Sequence, residues 1–541
     1  MARSHPTPGG KSEKAWPRFL VQLSSFPLAR KARIALLKEM FKLALICAVV
    51  GWLDVCSVPA AAAALLPSAD QPPPPRREFR GLWVATVKNI DWPSKKGLST
   101  RQQQEEWVNL MNQAAALHLN AIIFQVRPCC DSFYESGIEP WSEYLSGKAG
   151  RAPVPFYDPL AFAITEAHRR GLELHAWFNP YRVCLSNPGP RALPPVCLRH
   201  PELVRSYGQA LWLDPGEEGT RQYSSNVVLD VVRRYDIDGV HFDDYFYPYP
   251  EKNEQNRETD FPDNPPWERY QRRGGKLSRA DWRRQNVDEF VRSIYQAIKK
   301  EKPWVKFGVS PFGIWRPANP PSISGFDAYN ELFADSRKWL AEGWVDYLAP
   351  QLYWPIDQKA QSFPVLLRWW AEQNTRHRNL FPGMQVTGWK GVQDAAAEAG
   401  REIELTRAEP GVPGTILWHA APLLRDQNGA TGALRRIYSE PALTPACPWL
   451  RAERPEQPRL KVKEAGNALE LNWKSTNGPV WQWVLQKKTA GHWTSEILPS
   501  RTTSLVLKEA AAANLPGSIA LSAVDRYGNL SLPAIFHPMS P

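Results

Sequence analysis

Between residues 80 and 438, short apolar runs alternate with stretches whose apolar side chains recur every three to four positions. The runs at 81–87, 121–126, 173–178, 239–242, 306–310, 346–350, 380–385 and 414–417 have the length and the β-branched or aromatic content of buried strands. The intervening stretches at 100–117, 159–170, 219–235, 282–300, 335–342, 363–373, 393–406 and 432–437 have helical spacing. Eight strand-then-helix units in one span predict an α/β fold, a closed (β/α)8 barrel of the TIM type. An open doubly wound sheet is the alternative, but no glycine-rich phosphate loop follows the first strand. Beyond a proline-rich stretch at 441–460 the period drops to two, as in Leu469-Glu470-Leu471-Asn472-Trp473. Further runs at 481–486, 504–507 and 518–524 are punctuated by turn signals such as Asn477-Gly478 and Tyr527-Gly528-Asn529. That pattern predicts a small all-β sandwich at 461–541.

The N-terminal region reads differently. Lys31, Arg33, Lys38 and Lys42 precede an apolar run at 43–53, small residues at 60–64 and prolines at 72–75. This is the order of an export signal, and the run is short for a spanning helix. The basic stretch is long enough that Met40 is a candidate start, and Val55 beside Cys56 argues against lipoprotein cleavage. The expected organisation is a leader and linker at 1–75, the barrel at 76–440, a linker at 441–460 and the sandwich at 461–541. The expected location is the periplasm or cell envelope, with no spanning segment in the mature protein.

The net charge of +11 gathers partly in the first forty residues, and elsewhere Lys and Arg are scattered among acids. No basic block of the nucleic-acid-binding kind is present, so no nucleic-acid partner is expected. The seven cysteines lack zinc-ligand spacing, and no metal or cofactor is expected. Cys184 and Cys197 bracket a proline-rich loop and could pair after export. The 24 tryptophans, several beside Pro or Tyr in loops, favour a ligand with apolar faces.

The most informative stretch is Asp238-Gly239-Val240-His241-Phe242-Asp243-Asp244-Tyr245-Phe246-Tyr247-Pro248. It is a short buried strand that ends in two carboxylates among aromatic rings. Cleavage of a sugar–sugar bond needs a carboxyl that donates a proton and a second group that stabilises or activates its partner. A strand-end Asp can also cap the next helix or pair with an Arg. Alternation puts His241, Asp243 and Tyr245 on one side and Asp244 on the other, so Asp243 is the first catalytic candidate and Asp244 the second. The partner acid is open among Asp91, Asp131, Glu139 and Glu331. Loops after strands build the reactive face of such barrels. The expected substrate contacts therefore come from Asp91, Trp92, Arg127, Asp131, His175, Asn179, Tyr181, Arg182, His241, Tyr245, Trp315, Gln351, Tyr353 and Trp354. Arginines there suit a substrate carboxylate.

Several motifs carry a family resemblance. They include Arg80-Gly81-Leu82-Trp83-Val84-Ala85-Thr86-Val87 with Asn89-Ile90-Asp91-Trp92-Pro93, and Phe124-Gln125-Val126-Arg127-Pro128. His175-Ala176-Trp177-Phe178-Asn179-Pro180-Tyr181-Arg182, the Asp243-Asp244 run, Ser310-Pro311-Phe312-Gly313 and Pro350-Gln351-Leu352-Tyr353-Trp354 extend it. Together they resemble the bacterial glycosyl-hydrolase-like 10 family. The resemblance implies a (β/α)8 barrel that acts on envelope glycan, peptidoglycan strands without stem peptides in its characterised branch. The chain departs from that pattern after the eighth strand, where Trp418-His419-Ala420-Ala421 stands in place of the acid some members carry. Two rival classes stay open: a glycan-binding barrel without catalysis, and a metal-dependent amidase or deacetylase. The turn Ala523-Val524-Asp525-Arg526-Tyr527-Gly528-Asn529 resembles the last strand and turn of fibronectin type III modules.

Overall fold

The computed structural model describes residues 71–187, 193–252, 255–388, 392–508 and 514–537; the export-signal reading lies outside them. Its central element is a parallel ladder: β1 (Phe79–Val84), β2 (Ala121–Arg127), β3 (Glu173–Phe178), β4 (Gly239–Phe242), β5 (Lys306–Val309), β6 (Tyr347–Leu348), β7 (Asn379–Leu380 with Gly383–Gln385) and β8 (Gly414–Trp418). Neighbours in this series pair in parallel from β1 to β6, and β1 also pairs with β8. The first half of β7 pairs with β6 and its second half with β8, so the ladder returns to its start. The break in β7 falls at Phe381-Pro382, and the ladder is carried across it by Phe381 N–H to Leu348 O and Gly383 N–H to Pro350 O. This is the closed barrel that eight β/α units require.

The helices that follow are α1 (Thr100–Ala116), α2 (Pro159–His168), α3 (Glu218–Arg234), α4 (Arg279–Glu301), α5 (Ser336–Glu342), α6 (Phe363–Gln373), α7 (Ala395–Ala408) and α8 (Ala430–Ile437). The first two starts have a local cause. Ser99 and Gln102 form a capping box on α1, and Asp158 caps α2 ahead of Pro159 at its first position. α4 buries Val287, Phe290, Val291, Ile294 and Ile298, one apolar stripe against the outer face of the strands. No helix among the described residues is long and apolar enough to cross a membrane.

Inside the barrel, large rings from some strands are matched by glycines on others. Phe79, Trp83, Trp177, Tyr347 and Phe381 project inward. A Cβ at Gly239 would lie 2.5 Å from the His175 ring, and one at Gly308 would lie 2.0 Å from the Tyr347 ring. These glycines are therefore space for rings, not weak points in the strands.

The proline-rich stretch does not hang free. At the barrel floor Glu78 N–H donates to Leu443 O and Leu443 N–H donates to Arg76 O, Thr444 Oγ1 donates to Glu173 at 2.8 Å, and Cys447 is fully buried. Trp449 Nε1 donates to Asp346 at 2.8 Å. Beyond it stand two antiparallel sheets. One holds β9 (Arg459–Ala465), β10 (Ala468–Lys474) and β13 (Ser504–Lys508); the other holds β11 (Gln482–Thr489), β12 (His492–Pro499), β14 (Ser518–Val524) and β15 (Ala534–Phe536). Leu469, Leu471, Trp483, Leu485 and Leu521 form their shared core. Arg526 bridges Asp236 and Asp238 at 2.6 and 3.1 Å, and Trp481 meets His168 edge-on. The contacted residues precede β4 and β3, so these sheets dock on the barrel floor.

Candidate active site

β3 and β4 place the main carboxyl. His241 points along the barrel axis while Phe242 packs outward against Phe290 and Phe307, so the alternation read from sequence holds to Asp243. Asp243 Oδ2 accepts from Trp177 Nε1 at 3.1 Å, and both its oxygens face Asn179 Nδ2 at 3.1 and 3.2 Å. The Asn179 amide is oriented by its own oxygen, which accepts from the backbone N–H groups of Tyr181 and Arg182. Burial pushes the Asp243 carboxyl up to about 6; the Arg182 guanidinium opposes the rise and Asp244 adds to it.

Asp244 leaves the strand and accepts from the Tyr249 hydroxyl. Burial raises its pKa against the hydrogen bonds of Tyr249 and Gln351. Gln351 is anchored by donating to Ser310 O at 2.9 Å. Arg182 lies over the Tyr245 ring at 4.2 Å and donates to Pro128 O at 3.2 Å. It is 4 % exposed, and among the described residues it forms no ion pair. A buried guanidinium with spare donors beside carboxyls is suited to an anionic ligand group. Asp131, on the loop after β2, is also raised to about 6 by burial, eased by hydrogen bonds from Ser142 and the Cys129 backbone.

The opposite wall is aromatic. Trp83, Tyr353 and Trp418 meet at ring separations of 6.0 to 6.5 Å, and Trp354 packs on Phe312. Tyr245, Tyr353, Trp354 and Trp418 are half-buried, which leaves ring surface for sugar faces.

Beneath the mouth runs a hydrogen-bonded column. Glu173 pairs with Lys306 and accepts from His175 Nε2 at 3.0 Å. Burial pushes Glu173 up, but Lys306 and His175 outweigh it and hold the carboxyl well below its usual range. His175 Nδ1 and His241 Nδ1 each lie 2.9 Å from the Tyr347 hydroxyl. His241 Nε2 receives Trp83 Nε1 at 3.2 Å and lies 3.0 Å from Ser310 Oγ. An indole N–H only donates, so His241 Nε2 is an acceptor and its proton sits on Nδ1. Tyr347 therefore accepts from His241, and its hydroxyl lies 2.9 Å from His175 Nδ1. Burial, reinforced by His175, pushes His241 well below the usual imidazole range, consistent with a neutral ring.

The residues expected from sequence thus separate. Asp243, Asp244, Asn179, Arg182, Tyr245, Gln351, Tyr353 and Trp354 gather at the mouth, with Asp131 on the Arg182 side. His175 and His241 lie in the axial column. Trp92 is buried against Trp107 and donates to Gln103 O, while Tyr181 packs on Phe290; both are core. Arg127 is locked to Glu139 at 2.8 and 2.5 Å. Trp315 is buried against Trp369 and donates to Asp335. Asp91 is a strut: it accepts from the backbone of Ala85 and Ala421 and from His419 Nδ1, with no side-chain exposure. Glu331 lines a separate cavity of about 310 Å³ with Glu258 and Arg283. The site list read from sequence lacked Trp83, Trp177, Trp418 and Tyr249. Alternation marks the first three, each inward on its strand, whereas Tyr249 has no local signal.

The chain belongs to the glycosyl hydrolase-like 10 family, whose pattern matches residues 78–389. It is 41% identical over 414 residues to the glycosyl hydrolase YngK of Bacillus subtilis, covering 73% of this chain and 79% of that one. It is 36% identical over 381 residues to the glycosyl hydrolase DigH of Escherichia coli K12, covering 64% and 84%. Among solved structures it is similar to the glycoside hydrolase domain of PgaB (BpsB) from Bordetella bronchiseptica. That match has 13% identity and a TM-score of 0.44, over 67% of this chain and 99% of that one.

Proposed function

We propose that this chain hydrolyses glycosidic bonds of bacterial envelope glycan, and that its substrate is the peptidoglycan strand without stem peptides. The observation that carries the reading is the Asp243–Asp244 pair at the end of β4, under an aromatic wall and beside Arg182, which forms no ion pair among the described residues. Removal of a stem peptide exposes a lactyl carboxylate on muramic acid, the group that Arg182 is placed to receive. Relatives carrying the name glycosyl hydrolase support the same class. Export to the envelope fits this substrate. The C-terminal sheets are read as a fibronectin type III-like accessory.

Purified glycan strands with and without stem peptides, incubated with the full chain and resolved by mass spectrometry, test the proposal. Shortened products from peptide-free strands alone are expected; unchanged strands would refute hydrolysis. The second reading, a binding barrel without turnover, draws on β8, where Trp418 and His419 occupy the rim and His419 is held by Asp91. Tight binding with unchanged strands would favour it.

A further inference from the structure

The carboxyls of this mouth come from one side. Cleavage by two protein carboxylates needs one on each face of the bond, roughly 5–5.5 Å apart for a nucleophile and roughly 6.5–9.5 Å apart when water attacks. The inward positions at the ends of β1, β2, β3, β6, β7 and β8 are Ala85, Gln125, Asn179, Gln351, Gln385 and Trp418. Ser310 holds the place on β5. None is an acid. Asp91, on the β1–β8 side, has both oxygens engaged and no side-chain exposure. Asp131 lies on the Arg182 side with Asp243. Among the described residues, the strand ends around the carboxyl pair carry amides, a ring, an alanine and a hydroxyl, and no further acid.

We propose that the missing nucleophile is supplied by the substrate: the 2-acetamido group of the sugar whose C1 is cleaved. This rests on the hydrolase reading and makes an N-acetylated sugar on the non-reducing side of the bond obligatory. The two carboxyls divide the work. Asp243 is held by Trp177 and by an Asn179 amide that cannot turn round, so its neighbours are N–H donors that favour the ionised form. It is the acceptor that takes the acetamido N–H and aligns the carbonyl. Asp244 lies against the Tyr249 hydroxyl, which can donate or accept, and against the Gln351 amide, which carries an oxygen as well as N–H, so that place accommodates a proton. Asp244 is the acid.

In the first step the acetamido oxygen bonds to C1 as the C1–O bond to the leaving sugar breaks. The electron pair stays on the leaving oxygen, which takes the proton of Asp244. Asp243 balances the positive charge of the oxazolinium ring. Water then gives a proton to Asp244 while its oxygen bonds to C1 and the ring opens to the acetamide. The sum is hydrolysis with retained configuration and Asp244 reprotonated.

Three measurements on the full chain test this. NMR of fresh products from peptide-free strands is expected to show retention. Chemical N-deacetylation of the same strands is expected to cut turnover by at least about a hundredfold, in the range lost with a reacting group. Asp244→Asn is expected to regain turnover on an N-acetylglucosamine oligomer with an activated phenol leaving group, which needs no proton, whereas Asp243→Asn does not. Inversion, equal turnover on N-deacetylated strands, or a fluorosugar trapped on a carboxylate would overturn the proposal and leave the hydrolase reading standing. Recovery of Asp243→Asn in place of Asp244→Asn would overturn the assignment of roles. No turnover on any strand would sink both.

Discussion

Asp243→Asn should separate activity from stability. In the wild type the carboxyl is 4 % exposed and titrates near 6 in place of its ordinary 3.8, because burial penalises the charge. Between those values the folded chain holds a proton that the unfolded chain has released, so stability falls as pH rises through the window and is level above it. The whole window corresponds to about 3 kcal/mol at about 1.36 kcal/mol per pH unit. From pH ~4.5 to pH ~8 the wild type should lose about 2 kcal/mol that the variant keeps. The Asn amide also turns an N–H toward Trp177 or Asn179, a cost of about 1–3 kcal/mol that does not vary with pH. Comparing the two proteins at both pH values cancels that cost, and cancels Asp131 as well. Thermal melts should therefore show the variant gaining a few degrees on the wild type as pH rises. Turnover on peptide-free strands should fall at least about a hundredfold, and the rise in rate expected of the wild type through pH ~6 should be absent from the variant. Near-normal turnover would remove Asp243 from the chemistry. A stability difference that does not change with pH would refute the claim that its charge is held at a cost.

Arg182→Gln should raise KM by about tenfold or more for strands with free lactyl carboxylates, and little for strands whose carboxylates have been amidated; equal effects on both would rule out anion recognition. Tyr347→Phe breaks the axial column, and ¹⁵N-histidine NMR should show His241 losing its fixed Nδ1–H form, with kcat down by about ten- to a hundredfold from misplacement of Trp83 and Ser310; a wild-type proton on Nε2 would contradict the column. A chain ending at Tyr438 removes Leu443 and Cys447, both nearly or fully buried, and should melt well below one ending at Arg451, by a few kcal/mol of lost apolar burial; equal melting would mean the floor closes without them.

The eight strands were legible because strands covered on both faces leave continuous apolar runs, and all eight lie within a few residues of where the pattern places them. The small antiparallel sheet of Arg182–Cys184, Val204–Tyr207 and Ala210–Leu213 was not, since its strands are short and only partly buried. Nor was the helix Asn264–Arg272, which buries only Pro266. At the site, Asp243, Asn179 and Gln351 were legible as strand-end polar residues. Tyr181 and Arg127 also stand at strand ends but turn to the core, as does Trp92 further along its loop, and nothing local distinguishes the two outcomes. His175 and His241 look like ligands in one dimension. What buries them is a glycine on the neighbouring strand and a tyrosine two strands further on.

The docking of the C-terminal sheets on the barrel floor sets the direction in which the molecule faces. Arg526, Trp481 and Gln482 grip the turns ahead of β3 and β4, at the end opposite the carboxyls. Those sheets are thus a foot and not a lip: they cannot extend the mouth that holds the carboxyls. Fixing the protein to a surface through them points the opening outward, and cargo fused after His537 would leave that opening clear.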